Sequence, residues 1–202
     1  MLNIVILVSG RGSNFMSIHS AIKSGRLDGK ITGVISSKEN APALAYAKGE
    51  GIPAFWLNPQ AGDGRLGYEE RLLRTITELG SDCLALAGYL LLLSGNFIRR
   101  YGKPILNIHP ALLPAFPGLT AQRDAVAYGV KYSGCTVHFV DAGMDSGPII
   151  AQAVVPVLET DQEDSLAARI LATEHQLYPE VLALMAEGRI HLTGRKVTID
   201  EA

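Results

Sequence analysis

Short apolar runs alternate with amphipathic stretches through the first half of this chain, and that alternation restricts its fold more than any other feature. Residues 2–8 are an apolar run, and 13–24 follow with Phe15, Ile18 and Ile22 at helical spacing. The pairing repeats as 31–36 before 41–49, 53–57 before 65–79, and 84–87 before a short helical stretch at 95–100. Another apolar run, 105–108, comes next. Within 65–79, Tyr68, Leu72, Ile76 and Leu79 share one helix face. Such alternation builds parallel βαβ units, and the economical solution is an α/β fold with a doubly wound, mostly parallel sheet.

The pattern changes after residue 110. Pro110, Pro114 and Pro117 impose a loop, and 119–128 then reads as a helix. Two β-rich runs, 135–140 and 149–157, are joined by a glycine-bearing loop at 141–148, which predicts a hairpin-like or mixed pairing. Residues 164–188 form a long helical pattern interrupted by Pro179, which frees the carbonyl of His175. Residues 189–199 alternate weakly around Gly194 and predict a small terminal hairpin. No repeat or linker divides the chain, so a single domain over 1–202 with a mixed C-terminal part is expected.

Charge and cysteine usage exclude several classes. The formal net charge is −2, with no clustered basic surface, so neither nucleic acid nor an acidic membrane is an expected partner. Arg99 and Arg100 read as a solvated helix end. Cys83 and Cys135 each open an apolar run and read as buried, reduced thiols. The first apolar run is too short for a membrane span and lacks the pattern of a signal peptide, so a cytoplasmic protein is expected. Histidines are scattered and the acidic pairs lack calcium-loop spacing, so no metal is expected.

The chemistry concentrates at the end of the 105–108 run. Asn107 and His109 fall on one face of a strand, roughly 6–7 Å apart along the chain, and Pro110 ends it. An amide and an imidazole thus project from the carboxyl end of a strand, where open α/β sheets bind ligands. Asp145, on a separate loop, could hold the imidazole charged, giving an apparatus for stabilising an oxyanion and moving a proton.

Residues 9–14, Ser-Gly-Arg-Gly-Ser-Asn, join the first strand to the first helix. This stretch is either a plain strand-to-helix turn or a phosphate cradle built on helix N-terminal N–H groups, with Ser13 and Asn14 capping the helix or bonding phosphate. It is neither a Walker loop nor a dinucleotide fingerprint. Glu174 sits within the apolar stripe formed with Ile170 and Leu177, so it either makes a structural pair or grips substrate hydroxyls or an amine. His138 reads as a packed, hydrogen-bonded histidine, and His19 and His191 as surface residues.

With these pieces in place the chain resembles the phosphoribosylglycinamide formyltransferase family. The matching motifs are the 9–14 turn, Leu86-Ala87-Gly88-Tyr89, Leu106-Asn107-Ile108-His109-Pro110, Phe116-Pro117-Gly118-Leu119, Val137-His138-Phe139-Val140, Met144-Asp145-Ser146-Gly147-Pro148 and Glu174-His175. The resemblance implies transfer of the formyl group of 10-formyltetrahydrofolate, as co-substrate, to the amine of glycinamide ribonucleotide in purine biosynthesis, on a Rossmann-like fold. It implies catalysis by Asn107, His109 and Asp145, with the phosphate on Gly12, Ser13 and Asn14 and polar groups on Glu174. The folate would meet Leu90, Leu91, Leu92 and Leu93, the loop at Val140 and Asp141, Asn107, and, at its glutamate carboxylate, Arg65. Residues 1–100 would form the phosphate-binding half, 101–190 the catalytic and folate-binding half, and 191–202 a terminal tail, in a monomer or homodimer.

Two positions depart from the family. Leu90-Leu91 stand where Met-Arg is usual, removing a cation, and Thr120 stands where histidine or aspartate is frequent. A formyltetrahydrofolate hydrolase would use the same trio with water as acceptor but carries an additional N-terminal domain, whereas this chain opens on its first strand. A methionyl-tRNA formyltransferase would need a C-terminal RNA-binding domain and a basic surface. A non-catalytic folate- or nucleotide-binding protein would not need an acid poised beside an amide donor.

Overall fold

A computed structural model describes residues 1–201. Seven strands form one mostly parallel sheet in the order β3-β2-β1-β4-β5-β6-β7, and a separate antiparallel pair, β8-β9, follows near the C-terminus. The doubly wound α/β expectation and its mixed C-terminal part are both met. The chain divides into two compact units, Met1–Leu106 and Asn107 onward.

The first unit contains β1 (Leu2–Val8), α1 (Ser13–Lys23), β2 (Gly29–Ser36), α2 (Pro42–Gly49), β3 (Ala54–Trp56), α3 (Gly64–Glu78), β4 (Cys83–Leu86) and α4 (Gly95–Tyr101). β5 (Ile105–His109) begins in it. β1 pairs in parallel with β2 on one side and β4 on the other. Strand order therefore reverses at β1, which makes the carboxyl ends of β1 and β4 a topological switch point, the place such sheets bind ligands. Ile4 through Val8 are fully buried, as a strand covered on both faces requires.

Local chemistry sets the element ends. Gly12 caps α1 in the left-handed conformation, φ 76°. A Cβ there would lie 2.6 Å from Ala43 Cβ, so glycine is required for space as well as for φ. Neither Ser13 nor Asn14 serves as the cap. Pro42 occupies the first turn of α2, where its missing N–H costs nothing. Ser94 caps α4 by accepting from Phe97 N–H, and left-handed Gly102 ends it.

The second unit holds the end of β5, α5 (Ala121–Tyr128), β6 (Tyr132–Phe139), β7 (Ile149–Pro156), α6 (Glu163–Ala186), β8 (Ile190–Thr193) and β9 (Lys196–Ile199). β6 and β7 are antiparallel, and β6 starts three residues before the expected position because Tyr132–Gly134 pair with Val154–Pro156. α6 packs on both strands and runs through Pro179 without ending. Its buried stripe is Leu166, Ile170, Glu174 and Tyr178, with Tyr178 rather than Leu177 continuing the four-residue spacing. The expected terminal hairpin is present, turning at left-handed Gly194.

One histidine departs from the sequence reading. His19 is buried rather than on the surface, its Nδ1 3.0 Å from the Tyr46 hydroxyl and its ring against Phe15 and Tyr46. It lies four residues after Phe15, so it falls on the apolar face of α1. Both thiols are buried, as expected. None of the described helices is long and apolar enough to cross a membrane.

Candidate active site

The carboxyl end of β5 carries Asn107, half-buried, and His109, only 3% exposed. His109 Nε2 lies 2.8 Å from the Phe116 carbonyl and Nδ1 lies 3.4 Å from Asp145 Oδ2. Both ring nitrogens thus face oxygen acceptors, the arrangement that suits a doubly protonated imidazole. Asp145 is fixed in turn by the Gly118 N–H, which donates to Oδ2 over 2.8 Å.

Phe116 and Asp145 are the non-glycine residues with positive φ among those described, at 52° and 48°. Asp tolerates that conformation better than most side chains, whereas a phenylalanine there is strained. Both of His109's partners therefore sit on unfavourable backbone, a pattern associated with functional sites. The connecting turn after β5 includes a cis Leu113–Pro114 bond.

His138 is packed and hydrogen-bonded, as its place on the strand predicts, and it belongs to the same cluster. Its Nδ1 is 2.9 Å from the Phe139 carbonyl, so that nitrogen carries the hydrogen and donates. Its Nε2, 3.2 Å from Asn107 Nδ2, is then an acceptor for the amide. Burial pushes the His138 ring below the ordinary imidazole range, partly offset by the Phe139 carbonyl and the Asp145 carboxylate, which keeps this tautomer neutral. An amide nitrogen has two hydrogens, so this contact orients Asn107 and leaves a second N–H to give. Asp145 Oδ1 is 3.8 Å from the same Nε2.

The 139–148 turn is held by Asp141, which accepts from Gly143 N–H at 3.0 Å and from the Ser146 hydroxyl at 2.7 Å. A Cβ at Gly147 would lie 1.8 Å from the Phe139 carbonyl, so only glycine permits this approach. Val140 is half-buried beside Asp141. Glu174 is buried on α6 near Cys135, whose thiol is pushed up to about 12 chiefly by burial and next by that carboxylate.

In the first unit, Gly12, Ser13 and Asn14 stand at the carboxyl end of β1, where α1 begins. Leu90–Leu93 follow β4 at the same switch point, with Leu90 and Leu92 exposed and Leu93 buried. Arg65, expected to face a free carboxylate, already gives Nε to Glu69 over 3.2 Å and Nη2 to the Leu92 carbonyl over 2.9 Å. Glu69 carried no signal in the sequence beyond its four-residue spacing from Arg65. Among the described residues no group of three or more His, Cys, Asp or Glu side chains could hold a metal ion.

A doubly wound α/β sheet with an amide, an imidazole and a carboxylate at one strand end defines an acyl-transfer type of enzyme. Residues 2–182 match the formyl transferase family, and the chain belongs to it. The phosphoribosylglycinamide formyltransferase of Escherichia coli K12 is 39% identical, covering 98% of this chain and 94% of its own length. The crystal structure of glycinamide ribonucleotide transformylase 1 from Symbiobacterium toebii superposes with TM-score 0.97 at 46% identity, over 100% of this chain and 95% of that one. A formyltetrahydrofolate deformylase from Pseudomonas syringae shares the fold at TM-score 0.92 but only 25% identity, over 99% of this chain and 66% of its own.

Proposed function

We propose that the protein transfers the formyl group of 10-formyltetrahydrofolate to the amine of glycinamide ribonucleotide, a step of purine biosynthesis. The observation that carries the reading is the Asn107–His109–Asp145 set, with the carboxylate 3.4 Å from the ring and the amide oriented by His138. The unprotonated amine attacks the formyl carbon, forming a C–N bond and an oxyanion. Asn107 gives its second N–H to that oxygen, and His109 exchanges the Phe116 carbonyl for it. Breaking the bond to the folate nitrogen then returns the carbonyl. The proton lost by the amine and the one gained by the folate nitrogen pass through His109, Asp145 and water.

The reading assigns the ribonucleotide phosphate to Gly12, Ser13 and Asn14 and its polar groups to Glu174. The folate falls to Leu90–Leu93, Asn107, and Val140 and Asp141, with Arg65 offering its remaining N–H groups to the glutamate. Residues 1–100 bind the phosphate and 101–190 carry catalysis, in a cytoplasmic monomer or homodimer. The test is steady-state turnover of 10-formyltetrahydrofolate with and without glycinamide ribonucleotide. Folate product only with the ribonucleotide present, reduced about 10²–10³-fold in Asn107→Ala, is expected. Equal release without acceptor would mean hydrolysis, and near-normal turnover by His109→Ala would sink the mechanism.

A further inference from the structure

The 88–94 segment has no regular secondary structure, yet its main chain is tied down along its length. Ser9 N–H donates to the Gly88 carbonyl over 2.9 Å. Leu90 N–H donates to Ser9 Oγ at 3.0 Å, and that hydroxyl is 2.7 Å from Ser37 Oγ. Arg65 grips the Leu92 carbonyl, and Glu69 takes Ser94 N–H on Oε1 at 2.8 Å and the Ser94 hydroxyl on Oε2 at 2.5 Å. Glu69 is 5% exposed, and its Oε1 also receives Arg65 Nε. Meanwhile Leu90 and Leu92 are 52% and 58% exposed.

A segment with fixed main chain and outward apolar side chains, beside the switch point of a parallel sheet, is preorganised to receive a flat, apolar-faced ligand with polar edges. A buried carboxylate is costly unless its oxygens are satisfied. Here three donors satisfy it, and two of them belong to Ser94, which both ends the segment and caps α4. Glu69 thus anchors one end, and Arg65 carries the same brace to the segment's middle.

We propose that Glu69 and Arg65 are positioning residues that set affinity for the pterin portion of the folate by holding the 88–94 main chain in its binding shape. The inference rests on the reading that folate binds at Leu90–Leu93. It assigns Arg65 a main-chain role separate from any grip on the glutamate tail.

Calorimetric binding of tetrahydrofolate to the wild type and to Glu69→Ala tests it, together with the kinetics of both substrates. Hydrogen bonds to a charged group are worth enough to predict a Kd and folate KM raised about tenfold or more. The ribonucleotide KM and kcat should stay within about twofold, and Glu69→Gln, which keeps one acceptor oxygen, should recover most of the affinity. A variant that melts lower but binds tetrahydrofolate normally would overturn the proposal, since a purely structural residue behaves that way. Arg65→Gln, at a residue whose side chain is 58% exposed, serves where Glu69→Ala does not fold. Its loss should persist for tetrahydropteroate, which lacks the glutamate, with any extra loss for tetrahydrofolate reporting the glutamate contact, whereas a loss confined to tetrahydrofolate would reduce Arg65 to a carboxylate contact and overturn the brace. A wild-type protein that binds no folate would overturn the functional reading as well. Normal wild-type binding with unaffected variants would overturn this inference alone.

Discussion

Replacing Asp145 by Asn isolates the charge behind His109 with little disturbance of the backbone. Asn adopts positive φ about as readily as Asp, so the 48° conformation is retained. Its amide oxygen can still accept from Gly118 N–H. What disappears is the negative charge 3.4 Å from His109 Nδ1. Two unit charges at that separation interact by about 5 kcal/mol at an effective dielectric of about 20 and by about 1 kcal/mol in bulk water. The side chains are 4% and 14% exposed, which places the pair nearer the first limit. Losing about 3–4 kcal/mol of support for the imidazolium in the transition state lowers kcat about 10²–10³-fold. The assay is formyl transfer to glycinamide ribonucleotide at saturating concentrations of both substrates, with a thermal melt on the same preparation. A kcat within threefold of wild type, at an unchanged melting midpoint, would refute the reasoning.

Two further predictions rest on burial. Cys83 and Cys135 are both pushed up to about 12, chiefly by burial, so a disulfide reagent at pH 8 should titrate neither thiol in the native protein and both after denaturation. His19, His138 and His175 are all held below the ordinary imidazole value, first by burial. The unfolded chain then binds more protons as pH falls below about 6.5, so their contribution is complete above that pH and declines below it, toward their lowered folded values. The unfolding free energy from urea melts should therefore fall between pH 7.5 and pH 5, by at most about 1.4 kcal/mol per pH unit for each histidine, with the urea midpoint falling in step, and His138→Gln should flatten the slope. A midpoint independent of pH over that range would contradict the assignment.

The sheet was legible because periodicity is a local signal. Leu2–Val8 and the α3 face of Tyr68, Leu72 and Ile76 behave as their spacing requires. Boundaries were less legible where tertiary pairing decides them, as at Tyr132, which enters β6 only because β7 supplies its partner. His19 was misplaced because a polar side chain on an apolar face is buried only if a distant residue, here Tyr46, provides a hydrogen bond. At the site, Asn107, His109 and Asp145 could be singled out by residue type and position. His138's tautomer and Glu69's brace could not, since both depend on main-chain groups, the Phe139 carbonyl and Ser94 N–H, that carry no sequence signature.

The strain around His109 shows how a local penalty is tied to a site. A left-handed Phe116 opposes local preference at a cost on the order of 1–3 kcal/mol, and such backbone persists only when neighbouring contacts over-determine it. Those contacts are present. Phe116's carbonyl meets His109, its ring packs edge-on against Tyr128, and Gly118, two residues on, gives its N–H to Asp145. Asp145 closes the circuit on His109's other nitrogen, while Asp141 and Gly147 hold the turn that presents it. Relaxing either residue would therefore withdraw an acceptor from one side of the same imidazole. The two positive-φ residues and the His109 ring thus form a single connected unit, and these are the two non-glycine residues with positive φ among those described.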